Sequence, residues 1–275
     1  MGLLDLIEDQ DIIQRVTAKW NTLKREQTSA TFLLPIKRKD QVPVILRIDA
    51  TLINWEGKEE VIGLVQDVTE IQKANEKIEE YIQQLEQSIK ATFIAVSNMV
   101  EFRDPYTAGH ERRVGMIAKK IGQYLGWSRE RYDSLELIGL VHDIGKISIP
   151  AEILSKPTQL TPLEMELMKT HAQNGYEILK DVPFNAPVAE VIWQHHERLD
   201  GSGYPRGLKG DDILPETRIV SVADVIEAIS SHRPYRPALG VESALAEIKR
   251  GRGTLYDAEV VDAAIHLIQN GEIEF

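Results

Sequence analysis

Two short stretches carry adjacent side chains that can ligate a metal: His142-Asp143 in LVHDIGK and His195-His196 in VIWQHHE. Histidine is the commonest side-chain ligand of transition metals, and a site needs several converging from separate elements. The chain has seven: His110, His142, His171, His195, His196, His232 and His266. A histidine or a carboxylate inside an apolar stripe is costly unless paired or coordinated, which singles out His142, Asp143 and Asp224, the last in IVSVADV. His110, His142, His171, His195 and His196 with Asp143 and Asp224 are ligands enough for two octahedral ions sharing a carboxylate bridge, water completing them. There is no cysteine, so sulfur ligation and disulfides are excluded. Mixed imidazole and carboxylate ligation suits Fe, Mn, Co, Ni or Zn and does not select among them. The competing reading of the same residues is a chance cluster of buried polar groups.

Such ligands have to be delivered by helices. From about residue 90 onward nearly every segment reads as helix with short breaks. SLELIGLVHDIGK has Leu137, Ile138, Val141 and Ile144 at helical spacing, so His142 and Asp143 are expected inside that helix. TPLEMELMKTHAQNGYEIL opens with Thr161 as N-cap, Pro162 in the first helical position and Glu164 completing a capping box, which fixes the start of the helix bearing His171. AEVIWQHHE and IVSVADVIEAISS supply two more apolar helices. Together they make an all-α domain of roughly 185 residues, within the usual range.

The first part of the chain has another pattern. Residues 4–28 read as a helix without strong patterning. In PVILRIDATLI, Val44, Leu46, Ile48, Ala50 and Leu52 alternate as in a half-buried strand. EEVIGLVQDV reads as a second strand after the NWEGK turn, and TFLLPI as another before them. Three strands bury little core alone, so this module is small and leans on a partner. From Thr69 the period changes: Ile71, Ala74, Ile78, Tyr81, Leu85 and Ser88 recur at three- and four-residue steps among Glu, Gln and Lys. That seam suits a short parallel coiled coil and hence a homodimer through the 71–95 helix. The alternative is a connecting helix packed on its own domain.

The fold class expected is mainly α, with a helical domain at 96–275 preceded by a small α+β module at 1–70 and a linking helix at 71–95. A length of 275 residues and 43% hydrophobic content fit a globular protein with a real core. The formal charge of −11 disfavours non-specific binding to polymeric nucleic acid or an anionic membrane. The opening MGLLDLIEDQ shows no secretory signal, Leu6 stands where a myristoylation motif wants Ser or Thr, and no apolar run reaches spanning length. A soluble cytoplasmic protein is expected.

The His142-Asp143 pair followed by Gly145-Lys146, the HHE of 195–197 and DGSGYP at 200–205 resemble the HD-GYP family, a helical branch of the HD phosphohydrolases that hydrolyses cyclic di-GMP. Further matches are RDPYTAGHERRV at 103–114, HDIGKISIP at 142–150, SKP at 155–157, VADV at 222–225, RPYR at 233–236 and GRGTLYDAEVV at 251–261, so the resemblance covers roughly residues 90–270. It implies that His110, His142, Asp143 and Asp224 hold one metal, and that His171, His195 and His196 hold a second across Asp143. It implies Fe or Mn as the ions, with Zn, Co or Ni also suited. Lys146 matches a lysine that contacts substrate phosphate, and Arg233 and Tyr204 fall where the family approaches the nucleotide. Some members bind a third metal through a glutamate four residues before the first histidine. Here that position is Tyr106, so two metals are expected. His232 stands where many relatives carry Asp and is expected at the rim, and His266 on the surface.

RKDQVPVILRIDATLINWEGKEEVIGLVQDVTE resembles the last three strands of a PAS domain, ending in DVTE at 67–70. The strands and helices that wall a ligand pocket in such domains have no room here, so a truncated sensory or dimerisation remnant is implied. The chemistry expected is hydrolysis of cyclic di-GMP to linear pGpG or GMP, with two metals activating water, Asp143 bridging them and Lys146 steadying a phosphate oxygen. Gly201 and Gly203 give the loop its freedom and Pro205 stiffens it, so Gly203, Tyr204 and Pro205 are expected on the substrate side. Glu197 is expected to orient a ligand histidine or to make a surface ion pair, and Arg113 to fix a carboxylate or phosphate. Two other readings share these residues: a phosphohydrolase for another nucleotide, and a cyclic di-GMP sensor or docking module with little turnover.

Overall fold

The computed structural model describes residues 10–26, 29–38, 40–104, 109–231 and 240–273. In chain order the elements are α1 (Gln10–Glu26), β1 (Ser29–Lys37), β2 (Pro43–Trp55), β3 (Lys58–Asp67), α2 (Thr69–Arg103), α3 (His110–Tyr124), α4 (Arg129–Val141), α5 (Ala151–Leu154), α6 (Pro162–Leu179), α7 (Val188–Gln194), α8 (Pro215–Ser230), α9 (Val241–Arg250) and α10 (Ala258–Gln269). The fold is mainly helical with one small sheet, as the periodicities require. Two compact units are present, Met1–Glu86 and Gln87–Phe275. None of the described helices is long and apolar enough to cross a membrane.

In the first unit, β1, β2 and β3 form an antiparallel sheet in that order, Ile48 standing opposite Phe32 on one side and Val65 on the other. The alternation in PVILRIDATLI leaves Val44, Ile48 and Ala50 buried. α1 covers that face, and Val16 closes a small core with Leu34, Ile48 and Ala50. The switch from strand to helix at Thr69 has a local cause. Asp67 accepts the Thr69 N–H at 3.0 Å and its hydroxyl at 2.5 Å, while that hydroxyl oxygen accepts the Ile45 N–H at 2.8 Å.

In the second unit, α8 is buried nearly all round: Ile219, Val220, Val222, Ala223 and Ile226 are each 0% exposed. Such a helix belongs in the middle of a core, and α3, α4, α7, α9 and α10 pack about it. α3 and α4 approach each other through glycines, for a Cβ on Gly139 would lie 2.4 Å from the Gly115 Cα. α6 starts where the capping box demands: the Thr161 hydroxyl accepts the Glu164 N–H, and the Glu164 carboxylate accepts the Thr161 N–H at 2.7 Å.

The helix expected through LVHDIGK is shorter than its pattern. α4 stops at Val141, His142 is its C-cap, and Asp143 leads into a 3₁₀ turn over Ile144–Ser148. The cause is tertiary. The Gly145 backbone lies so close to α6 that a Cβ there would be 1.9 Å from the His171 carbonyl oxygen. α7 likewise stops at Gln194, with His195 as its C-cap. Both adjacent pairs therefore sit where helices end.

Gly139→Ala tests the α3–α4 approach. The added methyl meets backbone that cannot rotate away, so a loss of about 1–3 kcal/mol is expected in urea unfolding, and an unchanged midpoint would show the two helices to be farther apart than described.

Candidate metal centre

Five elements deliver the candidate ligands. His110 is the first residue of α3, after Gly109 at φ 76°. His142 and Asp143 follow α4, His171 lies on α6, His195 and His196 follow α7, and Asp224 lies on α8. Three of the imidazoles are oriented in the same way. His142 Nδ1 donates to the Gly139 carbonyl at 2.7 Å, His171 Nδ1 to Met168 at 2.7 Å and His195 Nδ1 to Ile192 at 2.6 Å. Each bond assigns the ring proton to Nδ1 and leaves an Nε2 lone pair aimed inward.

Those lone pairs converge. His171 Nε2 lies 3.2 Å from both His195 Nε2 and His196 Nε2. Asp143 Oδ1 is 3.3 Å from His171 Nε2 and 3.8 Å from His195 Nε2, while its Oδ2 is 3.5 Å from His142 Nε2. Asp224 Oδ1 is 3.2 Å from His110 Nε2 and 3.8 Å from His142 Nε2. Asp143, His171, His195 and His196 form one group able to hold an ion, and His110, His142 and Asp143 form another. Asp143 belongs to both. His142 Nε2 is buried and has no hydrogen-bond partner. Buried acceptors facing one another repel unless a cation lies among them, so this donor set fits a metal.

The electrostatics agree. Burial pushes the His195 imidazole down to about 3, helped by His171 and His142, so it stays neutral and able to ligate. His196 is held low for the same reason. Burial opposes ionisation of Asp143, yet Lys146 and the neighbouring imidazoles hold its carboxyl well below the usual range. His110 is the exception. Burial pulls it down, but Asp224 and Glu227 outweigh that and raise it to about 10.

Several supports were not legible beforehand. Glu227, one turn after Asp224, meets His110 Nδ1 and also accepts from Arg113 Nε at 2.6 Å and from the Ser231 hydroxyl at 2.5 Å. Its only sequence signal is a second acid inside the apolar ADVIE stretch. Arg113 thus fixes a carboxylate. Lys146 Nζ lies 2.6 Å from Asp143 Oδ2 and 3.3 Å from Asp104 Oδ2. The last turn of α2 grips the same region. Glu101 accepts the Gly109 N–H at 3.0 Å, and Arg103 donates to the carbonyls of Ile147 and Ile149.

Glu197 differs from both roles expected of it. It is 2% exposed and accepts the N–H groups of Arg206 at 2.8 Å and Leu208 at 3.0 Å, so it holds the loop rather than a histidine. Gly203 is required by close approach, since a Cβ would lie 2.4 Å from the Glu197 Cα. The Tyr204–Pro205 peptide is cis, and the Tyr204 ring lies 4.6 Å from the His196 ring. Burial raises the Tyr204 phenol, so it stays protonated. A cavity of about 620 Å³ opens over the cluster, lined among others by His110, Asp143, Lys146, His171, His196, Tyr204 and Asp224. His266 is exposed beside Tyr124, away from the cluster. Tyr106, His232 and Arg233 lie outside the described residues.

A helical domain that brings a histidine–aspartate pair and a histidine–histidine pair from its helix ends to the floor of a cavity has the makings of an HD-type domain. Residues 95–260 match the family model described as HD domain, and the chain belongs to that family. The chain is 40% identical over 184 residues to the cyclic di-GMP phosphodiesterase response regulator RpfG of Xanthomonas campestris pv. campestris, covering 66% of this chain and 49% of that protein. It is 40% identical over 166 residues to the 3'3'-cGAMP-specific phosphodiesterase 3 of Vibrio cholerae, covering 60% of this chain and 36% of that protein. The chain thus spans about half or less of these relatives. A crystallised cyclic GMP-AMP-specific phosphodiesterase of V. cholerae aligns with a TM-score of 0.50 at 20% identity, over 66% of this chain and 49% of that one, a likeness of fold.

Glu227→Gln keeps the shape but removes the charge facing His110. Metal affinity, read by chelator competition, is expected to fall about 10–100-fold, and an unchanged affinity would remove Glu227 from the centre.

Proposed function

We propose that this chain is a metal-dependent phosphodiesterase that hydrolyses cyclic di-GMP to linear pGpG or GMP. The observation that carries the reading is the pair of ligand groups sharing Asp143 beneath a cavity that also presents Lys146. In this reading His110, His142, Asp143 and Asp224 hold one divalent transition metal, and His171, His195 and His196 hold a second across Asp143. Iron or manganese is favoured, with zinc, cobalt and nickel also compatible with nitrogen and oxygen ligands. Bound metals of this kind lower the pKa of water and draw charge from phosphoryl oxygens.

The protein's own groups do the rest. The Nδ1–H bonds of His142, His171 and His195 lock ring orientation before any substrate arrives. Lys146 brings positive charge to the cavity without competing for metal, and a phosphate oxygen entering there adds to the acceptors around its three N–H donors. Tyr204, protonated and set against His196, and Arg233 are assigned to the nucleotide side. Gly203 and Pro205 shape the loop that presents Tyr204. Hydrolysis gives phosphorus the hydroxyl of water and the leaving sugar oxygen its proton, opening the ring to pGpG; a second cut yields GMP.

The reading extends to the first part of the chain, with residues 1–70 a truncated PAS-like module, 71–95 a linker and 96–275 the phosphohydrolase domain. The linker is read as the seam of a homodimer. Ile71, Ile78, Ile82, Leu85 and Ile89 are 48–62% exposed along α2. Ile71, Ala74, Ile78, Tyr81, Leu85 and Ser88 form the seam at alternating three- and four-residue steps, the spacing that suits a short parallel coiled coil.

Purified protein reconstituted with Fe²⁺ or Mn²⁺ is expected to convert cyclic di-GMP to pGpG or GMP on chromatography, and Asp143→Ala to abolish it; metal-loaded protein that binds without turnover would overturn the enzyme reading. Because the chain lacks cysteine, Ile71→Cys and Thr92→Cys should each oxidise to a self-linked dimer, whereas cross-links formed only between the two variants would make the coil antiparallel.

A further inference from the structure

The cavity extends beyond the metal cluster, and its two flanks differ in chemistry. One is made of Ile153 and Leu154 of α5, Lys156, Thr158 and Leu160 of the following loop, and Met168 of α6, with the Lys156 charge held by Glu164 at 2.5 Å. The other is made of Val225, Ala228 and Ile229 of α8, Glu247 of α9, Arg198 and Tyr256.

The second flank holds a compact polar group that the metal site does not use. Tyr256 is 4% exposed. The Arg198 guanidinium lies 5.2 Å from its ring centroid and donates to the Glu197 carbonyl at 2.8 Å. The backbone ties the two together, since the Leu199 N–H donates to the Leu255 carbonyl at 3.2 Å. Glu247 and Tyr256 line the same part of the cavity; burial raises the Tyr256 phenol, which Arg198 opposes and Glu247 reinforces. Of the described carboxylates lining the cavity, Asp143 and Asp224 face the imidazoles and Asp104 faces Lys146. Glu247 stands apart from them, paired with the surface residue Arg250.

An ionised carboxylate only accepts hydrogen bonds. Guanine presents N1–H and N2–H side by side on its Watson–Crick edge, matching two carboxylate oxygens. Adenine presents one donor beside the N1 lone pair, which a carboxylate repels. The half-buried Arg198 guanidinium on the same flank is a planar cation against which either purine can lie. No carboxylate from α5, the following loop or α6 is among the described lining residues, and Met168 adapts its shape readily.

We propose that Glu247, beside the Arg198–Tyr256 pair, reads one guanine of the substrate, while the α5–α6 flank accepts the second base with little discrimination. This rests on the phosphodiesterase reading. It makes a single guanine obligatory and the other purine replaceable, so cyclic di-GMP and 3'3'-cGAMP are both substrates and cyclic di-AMP is a poor one.

The test compares the full chain with Glu247→Ala and Glu247→Gln, measuring both turnover and equilibrium binding of the three dinucleotides. Wild type is expected to prefer the two guanine-bearing ligands over cyclic di-AMP by roughly 10–100-fold, the worth of one good base contact. Glu247→Ala should shrink that ratio toward one, Glu247→Gln should fall between, and metal content should stay unchanged in both. A preference unaltered by Glu247→Ala overturns the proposal, as does wild type that binds all three equally. Absence of turnover with the binding preference intact and Glu247-dependent would overturn the phosphodiesterase reading and leave the base-reading role standing.

Discussion

The second unit is organised around acceptors that must share a small, buried volume. Three ring protons go to carbonyls three residues back, and the inward lone pairs of His171 and His195 then lie 3.2 Å apart, with His142 Nε2 left unpartnered nearby. That arrangement is unfavourable for a chain left to itself, and a cation relieves it. Much else serves to hold it: glycine at 145 so the turn can touch α6, Glu227 behind His110, and Lys146 against Asp143. A buried carboxylate survives here because its neighbours make the ionised form the cheaper one.

How much of this could be read beforehand follows from the range of each interaction. The capping box at Thr161 and the strand alternation around Ile48 depend on neighbours along the chain, and both came out as read. The structure places His110, His142, Asp143, His171, His195, His196 and Asp224 near one another, and they were candidates because residues that are expensive to bury announce themselves in apolar surroundings. The end of α4 at Val141 was hidden, since the hydrophobic period runs on past it and the break comes from contact with α6, distant in sequence. Glu227 was hidden for a related reason: an acid at the next turn after Asp224 looks like a helix surface until the facing helix is known to carry His110. Glu197 misled because its partners are backbone N–H groups, which have no residue type to betray them.

The relatives sharpen what kind of protein this is without making it identical to any of them. The match to the HD domain family covers the second unit, while the sheet and α1 of the first unit precede it. Two relatives at the same 40% identity carry names that differ in one base of the dinucleotide.

The last turn of α2 carries a consequence for how the centre responds to force. Glu101, Arg103 and Asp104 are successive handles on one rigid element, reaching the turn before His110, the carbonyls after Ile144 and the lysine beside Asp143. They cannot be adjusted singly. Three separate segments of the centre are thus fastened within four residues of one another, so displacing the end of this helix would disturb all three contacts together rather than one at a time.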